Sequence, residues 1–377
     1  MRSGKFKKAA LTVALSLSIL CGAAGPVSVS AATASGNYYY YNLLNGKQRA
    51  FWDKLEKKCS AIYKSKKDLA GNELAFSASE IRSLPAYGKG KNRQSGSMFV
   101  YELFMDSNPQ YFFLKRAEKR TRYSLKFELE PAYLKGLARS KAKSAIKKTA
   151  DQWVKAAAGK SSEKAKVKYL YDKLIARASY KAGAPDSQNI ASVFLKGPTV
   201  CNGYALSMDY LLNEAGIPAV VVHSYNHSWN KVRIDSNWYN LDPTWDDMDG
   251  SGYNWFLVSD SKAKKNDRNS YHVLNGYLKD LVPAAKCDKL KKASSRVGRP
   301  VIKAAGYNSG KIDMEITSST DGAVFYWTKN GKDPDISSGK AYKTDSSIKV
   351  DLKDMRKVRV IAVKDGMKDS EVAVYGE

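Results

Sequence analysis

Histidine and cysteine are scarce in this chain, which has three His and four Cys among 377 residues. The three histidines, His223, His227 and His272, do not stand at the spacing of a zinc site. Four cysteines are too few for a small scaffold held by disulfides, while 43% hydrophobic residues suffice for a buried core. The composition therefore predicts a globular protein, and its length predicts two or three domains.

Long apolar runs are absent beyond the first thirty residues. Basic residues at 2–8 precede an apolar run at 9–24 and small residues that end at Ala31. This order is typical of a secretory signal peptide, so we predict that residues 1–31 are removed on export. The run is short for a transmembrane helix, and Leu20 stands where a lipoprotein anchor at Cys21 needs a small residue. We expect a secreted, extracellular protein that does not span the membrane.

Acidic residues are in the minority, at 37 Asp and Glu against 63 Lys and Arg, which gives a formal net charge of +26. An exported protein rarely meets nucleic acid, so nucleic acid is not an expected partner. Two explanations of the charge remain, namely attraction to the anionic polymers of a bacterial cell wall and a solvated surface that keeps the protein soluble. The second is favoured for most of these residues.

Motifs for cofactors are also missing. There is no Gly-rich loop of the kind that holds phosphates. Residues 247–250 (DMDG) look like the start of a calcium loop, but the twelfth position of that loop is Val258 instead of Glu. We therefore predict no metal and no cofactor.

Hydrophobic periodicity divides the rest of the chain into four segments. A mostly helical region at 36–150 is followed by a core at 151–287, a charged linker at 288–299 and a C-terminal region at 300–377. The apolar runs of the last segment are short and alternating, and Asp-Gly and Asn-Gly turns separate them. This pattern predicts a small β-sandwich. The predicted fold class of the whole chain is α+β.

Cys201 is the cysteine with a chemical context. It precedes an apolar helical pattern that ends at Gly216, so its thiol stands at a helix N-terminus. The helix dipole and the first N–H groups favour a thiolate at that place and can hold an oxyanion. Removal of the signal peptide leaves Cys59, Cys201 and Cys287, an odd number, so at least one thiol is free or paired with another chain.

His227 and Asp242 lie on two strands that the sequence predicts to form a hairpin. With a two-residue loop at 235–236, Ile234 faces Asn237, and His227 and Asp242 become diagonal neighbours on one face. A three-residue loop would place them on opposite faces. A loop at 236–237 would keep His227 and Asp242 on the same face but move them two residues further apart along the strands.

In the first register the three side chains can perform nucleophilic catalysis. The Cys201 thiolate attacks an acyl carbon, His227 takes or gives the proton, and Asp242 orients the imidazole and stabilises its charged form. Taken singly, each residue has an ordinary structural role, such as a turn former in the case of an Asp before Pro243. Their joint occurrence in this order favours catalysis.

Four motifs in this stretch resemble the bacterial transglutaminase-like family. They are TVCNGYA at 199–205, AGIP at 215–218, HSWN at 227–230 and WYNLDPTWDD at 238–247. The resemblance covers about residues 161–260 and implies a papain-like core in which Cys201, His227 and Asp242 form the catalytic triad. Asn226 replaces a Gly that commonly precedes the His, and Ser228 replaces an Ala that follows it, and both changes leave the triad intact.

The family implies thiol-dependent acyl chemistry on peptide or protein amides, either transfer to an amine or hydrolysis as a protease or amidase, although some members have lost activity. A second oxyanion donor should come from upstream of Cys201, and Gln188 is the candidate. Tyr204, Trp229 and Trp245 are candidates to line the substrate cleft, with core packing as the alternative.

The C-terminal region resembles the Ig-like C-terminal domain of chitobiase-type proteins. The resemblance rests on GAVFYWT at 322–328, NGKDP at 330–334 and VIAVKDG at 360–366. Such a module implies binding or spacing at a cell surface.

The expected function is an exported transglutaminase-like thiol enzyme at the bacterial cell surface. The alternative is an inactive surface protein whose core and sandwich bind wall polymer, carbohydrate or protein.

Overall fold

The computed structural model describes residues 39–81, 84–88, 93–121, 124–249, 253–267, 269–287, 295–336, 341–364 and 367–377. The expected signal peptide lies outside these ranges, as does most of the expected linker. Within them, none of the helices combines the length and the apolar character that crossing a membrane requires.

The α-helices of the described residues all precede the expected linker. They are α1 (Tyr39–Leu43), α2 (Gly46–Lys64), α3 (Ala78–Ile81), α4 (Gly96–Ser107), α5 (Gly136–Ala158), α6 (Glu163–Ile175), α7 (Ile190–Phe194), α8 (Cys201–Glu214), α9 (Pro243–Asp249) and α10 (Asp260–Asn266). The strands are β1 (Glu73–Ser77), β2 (Leu114–Arg120), β3 (Ser124–Leu129), β4 (Ala219–His223), β5 (Ser228–Ile234), β6 (Asn237–Leu241), β7 (Phe256–Val258), β8 (Val301–Asn308), β9 (Lys311–Thr317), β10 (Val324–Thr328), β11 (Tyr342–Thr344), β12 (Ser347–Asp351), β13 (Arg359–Val363) and β14 (Ala373–Val374).

The N-terminal region packs helices against a small sheet. Helix α2 begins with a capping box in which the Asn45 and Gln48 side chains satisfy each other's backbone N–H groups. Its apolar positions face inward, and Cys59 is completely buried among them. Strands β1, β3 and β2 form an antiparallel sheet in that order beside α2 and α4.

The core is built on an antiparallel sheet in the order β4–β5–β6–β7, against which α8 packs. Helix α8 is buried along nearly its whole length, and so is every residue of β5. One continuous hydrophobic cluster extends from Tyr40 in α1 to Leu278 beyond α10. The N-terminal region and the core therefore share their interior. The segment boundaries drawn from the sequence stay a prediction.

The C-terminal region consists of two antiparallel sheets, in the orders β11–β10–β13–β14 and β12–β9–β8. They enclose a separate apolar cluster around Met314, Val358 and Val360, as an Ig-like sandwich does. The predicted α+β class, with a helical N-terminal extension, a core of helices on an antiparallel sheet and a terminal sandwich, is confirmed. The sandwich contacts the core through Arg233 of β5, whose Nη2 lies 2.9 Å from Asp369 Oδ1.

A buried ion cluster joins the N-terminal region to the hairpin β4–β5. Asp106, at the end of α4, pairs with Arg116 of β2 and accepts a hydrogen bond from His223 Nε2 at 2.9 Å. His223 Nδ1 in turn lies 2.8 Å from the hydroxyl of Ser228, the first residue of β5. Burial raises the pKa of Asp106, but the charges of Arg116 and His223 outweigh burial and hold that pKa below its ordinary value.

Replacing Asp106 should destabilise the protein in a pH-dependent way. Asp106→Asn should lower the free energy of unfolding by about 2–4 kcal/mol at neutral pH, because it leaves the partly buried Arg116 without its counter-charge. Since the pKa of Asp106 is lower in the folded chain than in the unfolded one, the stabilisation is present above about pH 4 and is lost as the pH falls through the folded pKa. Urea unfolding at several pH values should show the gap between variant and parent narrowing in acid.

Asp151→Asn is the matched control, because it removes an exposed ion pair with Lys147 one helical turn away. This substitution should lower the free energy of unfolding by less than about 0.5 kcal/mol. If the Asp106 and Asp151 variants were equally stable, the buried cluster would not hold the hairpin as described.

Candidate active site

Cys201 is the first residue of helix α8, as the sequence predicts. The preceding residue, Val200, has extended backbone and no side chain that could cap the helix. The N–H groups of the first turn therefore have no side-chain acceptor from the N-cap residue, and the positive end of the helix dipole lies at the thiol. Cys201 is half-buried, and it is a free cysteine, as are Cys59 and Cys287.

Gly203 allows the start of α8 to pack closely against the preceding loop. A Cβ atom at this position would lie 1.9 Å from Thr199 Oγ1 and 2.8 Å from the carbonyl oxygen of Ser187. The Thr199 hydroxyl donates to that carbonyl at 3.0 Å and accepts from Ser192 at 2.8 Å. The glycine in the Cys-Asn-Gly motif thus lets these polar groups hold the helix end that carries the thiol.

The register of the hairpin β5–β6 is the one that the catalytic hypothesis requires. Ile234 pairs with Asn237 across the loop. The two loop residues, Asp235 and Ser236, both have positive φ, at 46° and 67°. A two-residue loop of this kind matches the right-handed twist of the strands. Of the three loops that the sequence left open, the structure has the two-residue loop at 235–236.

This register brings His227 and Asp242 together in the interior of the protein. The prediction that both residues lie on the strands was wrong by one position each, because β5 begins at Ser228 and β6 ends at Leu241. His227 Nε2 lies 2.6 Å from Asp242 Oδ2, and Asp242 is completely buried. Burial raises the pKa of Asp242, but the charges and hydrogen bonds of His227 and His272 outweigh it and hold that pKa well below its ordinary range. Asp242 is therefore ionised at neutral pH and can only accept hydrogen bonds.

His227 connects this carboxylate to the thiol. Because Nε2 is bonded to Asp242, Nδ1 is the nitrogen left for the interaction with Cys201, which is among the causes of the raised pKa of His227. Burial lowers the pKa of His227, but the charge of Asp242 and the hydrogen bonds with Asp242 and Cys201 outweigh burial and raise that pKa to about 10. An imidazolium beside a thiol is the arrangement of activated cysteine nucleophiles.

His272 is a residue of the site that sequence reasoning missed. Its Nε2 lies 2.8 Å from the same carboxylate oxygen, Asp242 Oδ2, that bonds His227. Its ring stacks on Trp255, with 4.0 Å between centroids and 14° between planes. His272 comes thirty residues after Asp242 in a loop without periodicity, so its scarcity as one of three histidines was the only available signal.

The same three residues are a candidate metal group among the described parts of the chain. The ligand atoms of His227, Asp242 and His272 lie within 4.8 Å of one another. Both Nε2 atoms lie at hydrogen-bond distance from the same carboxylate oxygen, Asp242 Oδ2. Two N–H groups that donate to one acceptor oxygen account for these distances without a metal. A metal would have to displace both protons. The expected absence of a metal stays a prediction.

Gln188, the oxyanion candidate, lies beside the start of α8. Its carbonyl oxygen accepts a hydrogen bond from Asn202 Nδ2 at 2.7 Å, and the residue itself is exposed. The backbone contact therefore places Gln188 near the residue that follows Cys201, while its side chain is free to reach solvent or a bound substrate.

The three aromatic cleft candidates have different positions. Tyr204 and Trp229 are buried, and their polar atoms donate to Asp247 and Asn240 inside the protein. A buried ring offers no face to a substrate, so core packing, the alternative, describes these two residues. Trp245 is half-buried, and its ring lies edge-to-face with that of His227 at 6.1 Å.

Two tyrosines that the sequence did not indicate lie near the thiol and the imidazole. Tyr180 is 44% exposed. Partial burial and the nearby charge of Cys201 raise the pKa of Tyr180. The ring of Tyr271 lies 6.4 Å from that of His227 and 5.5 Å from that of Trp245. Trp245, Tyr180 and Tyr271 are therefore aromatic side chains that lie near the thiol or the imidazole and are not fully buried.

Comparison with known protein families agrees with this geometry. Residues 151–243 match the model of the transglutaminase-like superfamily. The core of this chain is transglutaminase-like. Residues 303–374 match the chitobiase/beta-hexosaminidase C-terminal domain. A solved structure described as a crystal structure of a TGase is similar at 18% identity and a TM-score of 0.24, over 34% of this chain and 43% of the other. No curated protein matches the chain.

Asp242 should control the protonation of the histidine in the transglutaminase-like core. In Asp242→Asn the pKa of His227 should fall from about 10 to about 6.5 or below, because burial is then no longer opposed by a negative charge. Titration of the imidazole NMR signals measures this directly, since the chain has three histidines.

Asp246→Asn is the control for that titration. Asp246 is also buried at the start of α9, but it accepts from the Tyr171 hydroxyl at 2.6 Å instead of from a histidine. Its substitution should leave the pKa of His227 near its parent value. An equal shift in both variants would mean that general burial, and not the hydrogen-bonded pair, sets the charge of His227.

Proposed function

We propose that this protein is an exported thiol enzyme that transfers or hydrolyses acyl groups of peptide or protein amides at a bacterial cell surface. The observation that supports it best is the position of His227, which bonds a buried carboxylate through Nε2 and interacts with the half-buried Cys201. The match of residues 151–243 to the transglutaminase-like superfamily agrees with this chemistry.

In the first half of the proposed reaction the enzyme becomes acylated. The Cys201 sulfur attacks the carbonyl carbon of the amide, and a C–S bond forms as the oxygen becomes negative. The C–N bond then breaks, and the imidazolium of His227 gives its Nδ1 proton to the departing nitrogen. The products are a thioester on Cys201, a free amine or ammonia, and a neutral His227 that stays bonded to Asp242.

In the second half the acyl group leaves the enzyme. His227 takes a proton from an incoming amine or from water, whose nitrogen or oxygen attacks the thioester carbon. The C–S bond breaks, and the thiolate and the imidazolium form again. An amine gives a new amide, and water gives a carboxylic acid. Asp242 stays ionised throughout and stabilises the charged imidazole.

The oxyanion of each tetrahedral intermediate needs donors beside Cys201. We propose the backbone N–H groups at the start of α8 and the side-chain amide of Gln188. The helix end has no side-chain cap from Val200, and the carbonyl of Gln188 is bonded to Asn202 in the first turn. Each such donor contributes several kcal/mol to acyl transfer in enzymes of this kind, about 2.7–4 kcal/mol.

The reactivity of Cys201 tests the proposal without a known substrate. The full chain is treated with iodoacetamide at about pH 6, well below the pKa of an ordinary thiol, and alkylation of each cysteine is followed by mass spectrometry. Cys201 should react at least about tenfold faster than Cys287, which is also partly exposed. Cys59 should be slowest, because burial raises its pKa.

His227→Ala is the control that connects this reactivity with the triad. It should reduce the alkylation rate of Cys201 to that of Cys287 and leave the other two cysteines unchanged. The proposal of a thiol enzyme would be contradicted if Cys201 were alkylated no faster than Cys287, or if its alkylation stayed fast in His227→Ala. With an active protein, a glutamine-containing peptide with and without a primary amine distinguishes transfer from hydrolysis by the masses of the products.

A second candidate function, binding of an anionic polymer, is favoured by a cleft between the core and the sandwich. The cleft has a volume of about 480 Å³. Its described lining includes Lys286 of the core, Lys343 and Lys364 of the sandwich, and no carboxylate. Arg233 also lines the cleft, but its charge is balanced by Asp369. The positive charge of this lining supports attraction of phosphate or carboxylate groups.

Charge reversal in the cleft tests polymer binding. Lys286→Glu/Lys343→Glu should weaken binding of synthetic poly(glycerol phosphate) about tenfold or more, measured by calorimetry at low salt. Two controls separate a site from a general charge effect. Lys311→Glu/Lys353→Glu makes the same charge change at exposed positions outside the cleft lining, and chitohexaose is an uncharged saccharide. Equal losses in both double variants would mean that the protein binds polymer through its overall charge.

A further inference from the structure

We propose that His272 is a positioning residue of the active site, which holds the Asp242 carboxylate in the orientation that His227 requires. The inference rests on the proposed function of Cys201 and His227. It concerns a residue beyond the segment that matches the transglutaminase-like model, which ends at residue 243.

The Asp242 carboxylate accepts four hydrogen bonds. Oδ1 accepts from the backbone N–H groups of Thr244 and Trp245 at 3.0 and 3.2 Å. Oδ2 accepts from His227 and His272 at 2.6 and 2.8 Å. A carboxylate has about four lone-pair positions, so all of them are occupied in this group. Neither oxygen can move toward a new donor without losing one that it already has.

The shared oxygen also fixes the tautomer of both imidazoles. An ionised carboxylate oxygen has no proton to give, so His227 and His272 must each carry a proton on Nε2. For His227 this leaves Nδ1 to exchange a proton with Cys201, which is the catalytic requirement. Loss of His272 would leave a lone pair of a completely buried carboxylate without a partner, and Asp242 could then rotate away from the line of the His227 ring.

His272 is held in place from two sides. Asp267 accepts hydrogen bonds from the backbone N–H groups of Tyr271 and His272 at 2.9 and 2.7 Å, which shapes the loop that carries them. The His272 ring is stacked on Trp255, and only 2% of its side chain is exposed. The imidazole is therefore fixed by its surroundings and can itself fix Asp242.

The polar atoms of His272 favour this role over simple packing. Nδ1 has no hydrogen-bond partner among the described residues, and it lies 3.7 Å from Asp267 Oδ2. All hydrogen bonding of the ring therefore passes through Nε2 to Asp242. A ring needed only to fill space between Trp255, Trp229 and Trp245 could be a phenylalanine, without a buried nitrogen that lacks a partner.

Two substitutions separate the hydrogen bond from the packing. His272→Phe keeps an aromatic ring on Trp255 and removes the donor to Asp242. His272→Gln loses the ring and keeps an N–H donor near the position of Nε2. If His272 positions Asp242, the glutamine variant should keep Cys201 alkylation within about threefold of the parent, and the phenylalanine variant should slow it about tenfold or more. If His272 only packs, the order should be the reverse.

Alkylation rates are measured between about pH 5 and 9, with near-ultraviolet circular dichroism as a record of the fold. The proposal is overturned if Cys201 is not alkylated faster in His272→Gln than in His272→Phe. Loss of the fold in both variants is one such result, because it would make His272 a core residue.

His227→Ala distinguishes failure of the proposed function from failure of the role of His272. If Cys201 is still alkylated rapidly in His227→Ala, the proposed function fails. If alkylation of Cys201 is slow in His227→Ala while both His272 variants react like the parent, only the role of His272 fails.

Discussion

The carboxylate of Asp242 is charged and completely buried, and the arrangement of the site follows from that constraint. A buried charge is tolerated only when other groups replace the hydration it has lost. Here the replacements come from three different parts of the chain, namely two N–H groups at the start of α9, one imidazole from the hairpin and one from the loop that follows α10. Satisfying one side chain therefore fixes the relative positions of three elements, and His227 is one of the groups so fixed.

The start of β5 is held by two networks of the same type. His227, the residue before the strand, bonds Asp242. Ser228, the first residue of the strand, bonds His223 and, through it, Asp106. The N-terminal region supplies Asp106 and Arg116, and its interior is continuous with that of the core. A transglutaminase-like core without this region would lose the second network, so the helical extension contributes to the precision of the site although it holds none of the triad.

Local sequence was sufficient for the parts of this site that local geometry determines. The helix start at Cys201 depends on a few adjacent residues and was predictable. The loop at 235–236 was one of three that the turn sequence left open, and only the catalytic hypothesis required it. The position of His272 depends on a loop folding back over thirty residues, and no periodicity encodes such a contact. Aromatic residues near a motif are equally ambiguous, because the pattern that places Trp229 on a strand is the same whether its ring faces a cleft or the core.

Strand β5 also touches the sandwich, since Arg233 near its end bonds Asp369. This raises the question whether a ligand in the cationic cleft would alter the chemistry at His227, six residues earlier. Coupling of that kind needs an element with two arrangements of similar free energy. Every residue of β5 is buried, and the strand is paired on both sides, to β4 and to β6. Burial and pairing on both sides make β5 a poor candidate for such an element, so under the proposed function polymer bound in the cleft would concentrate the protein near its substrate and have little effect on Cys201.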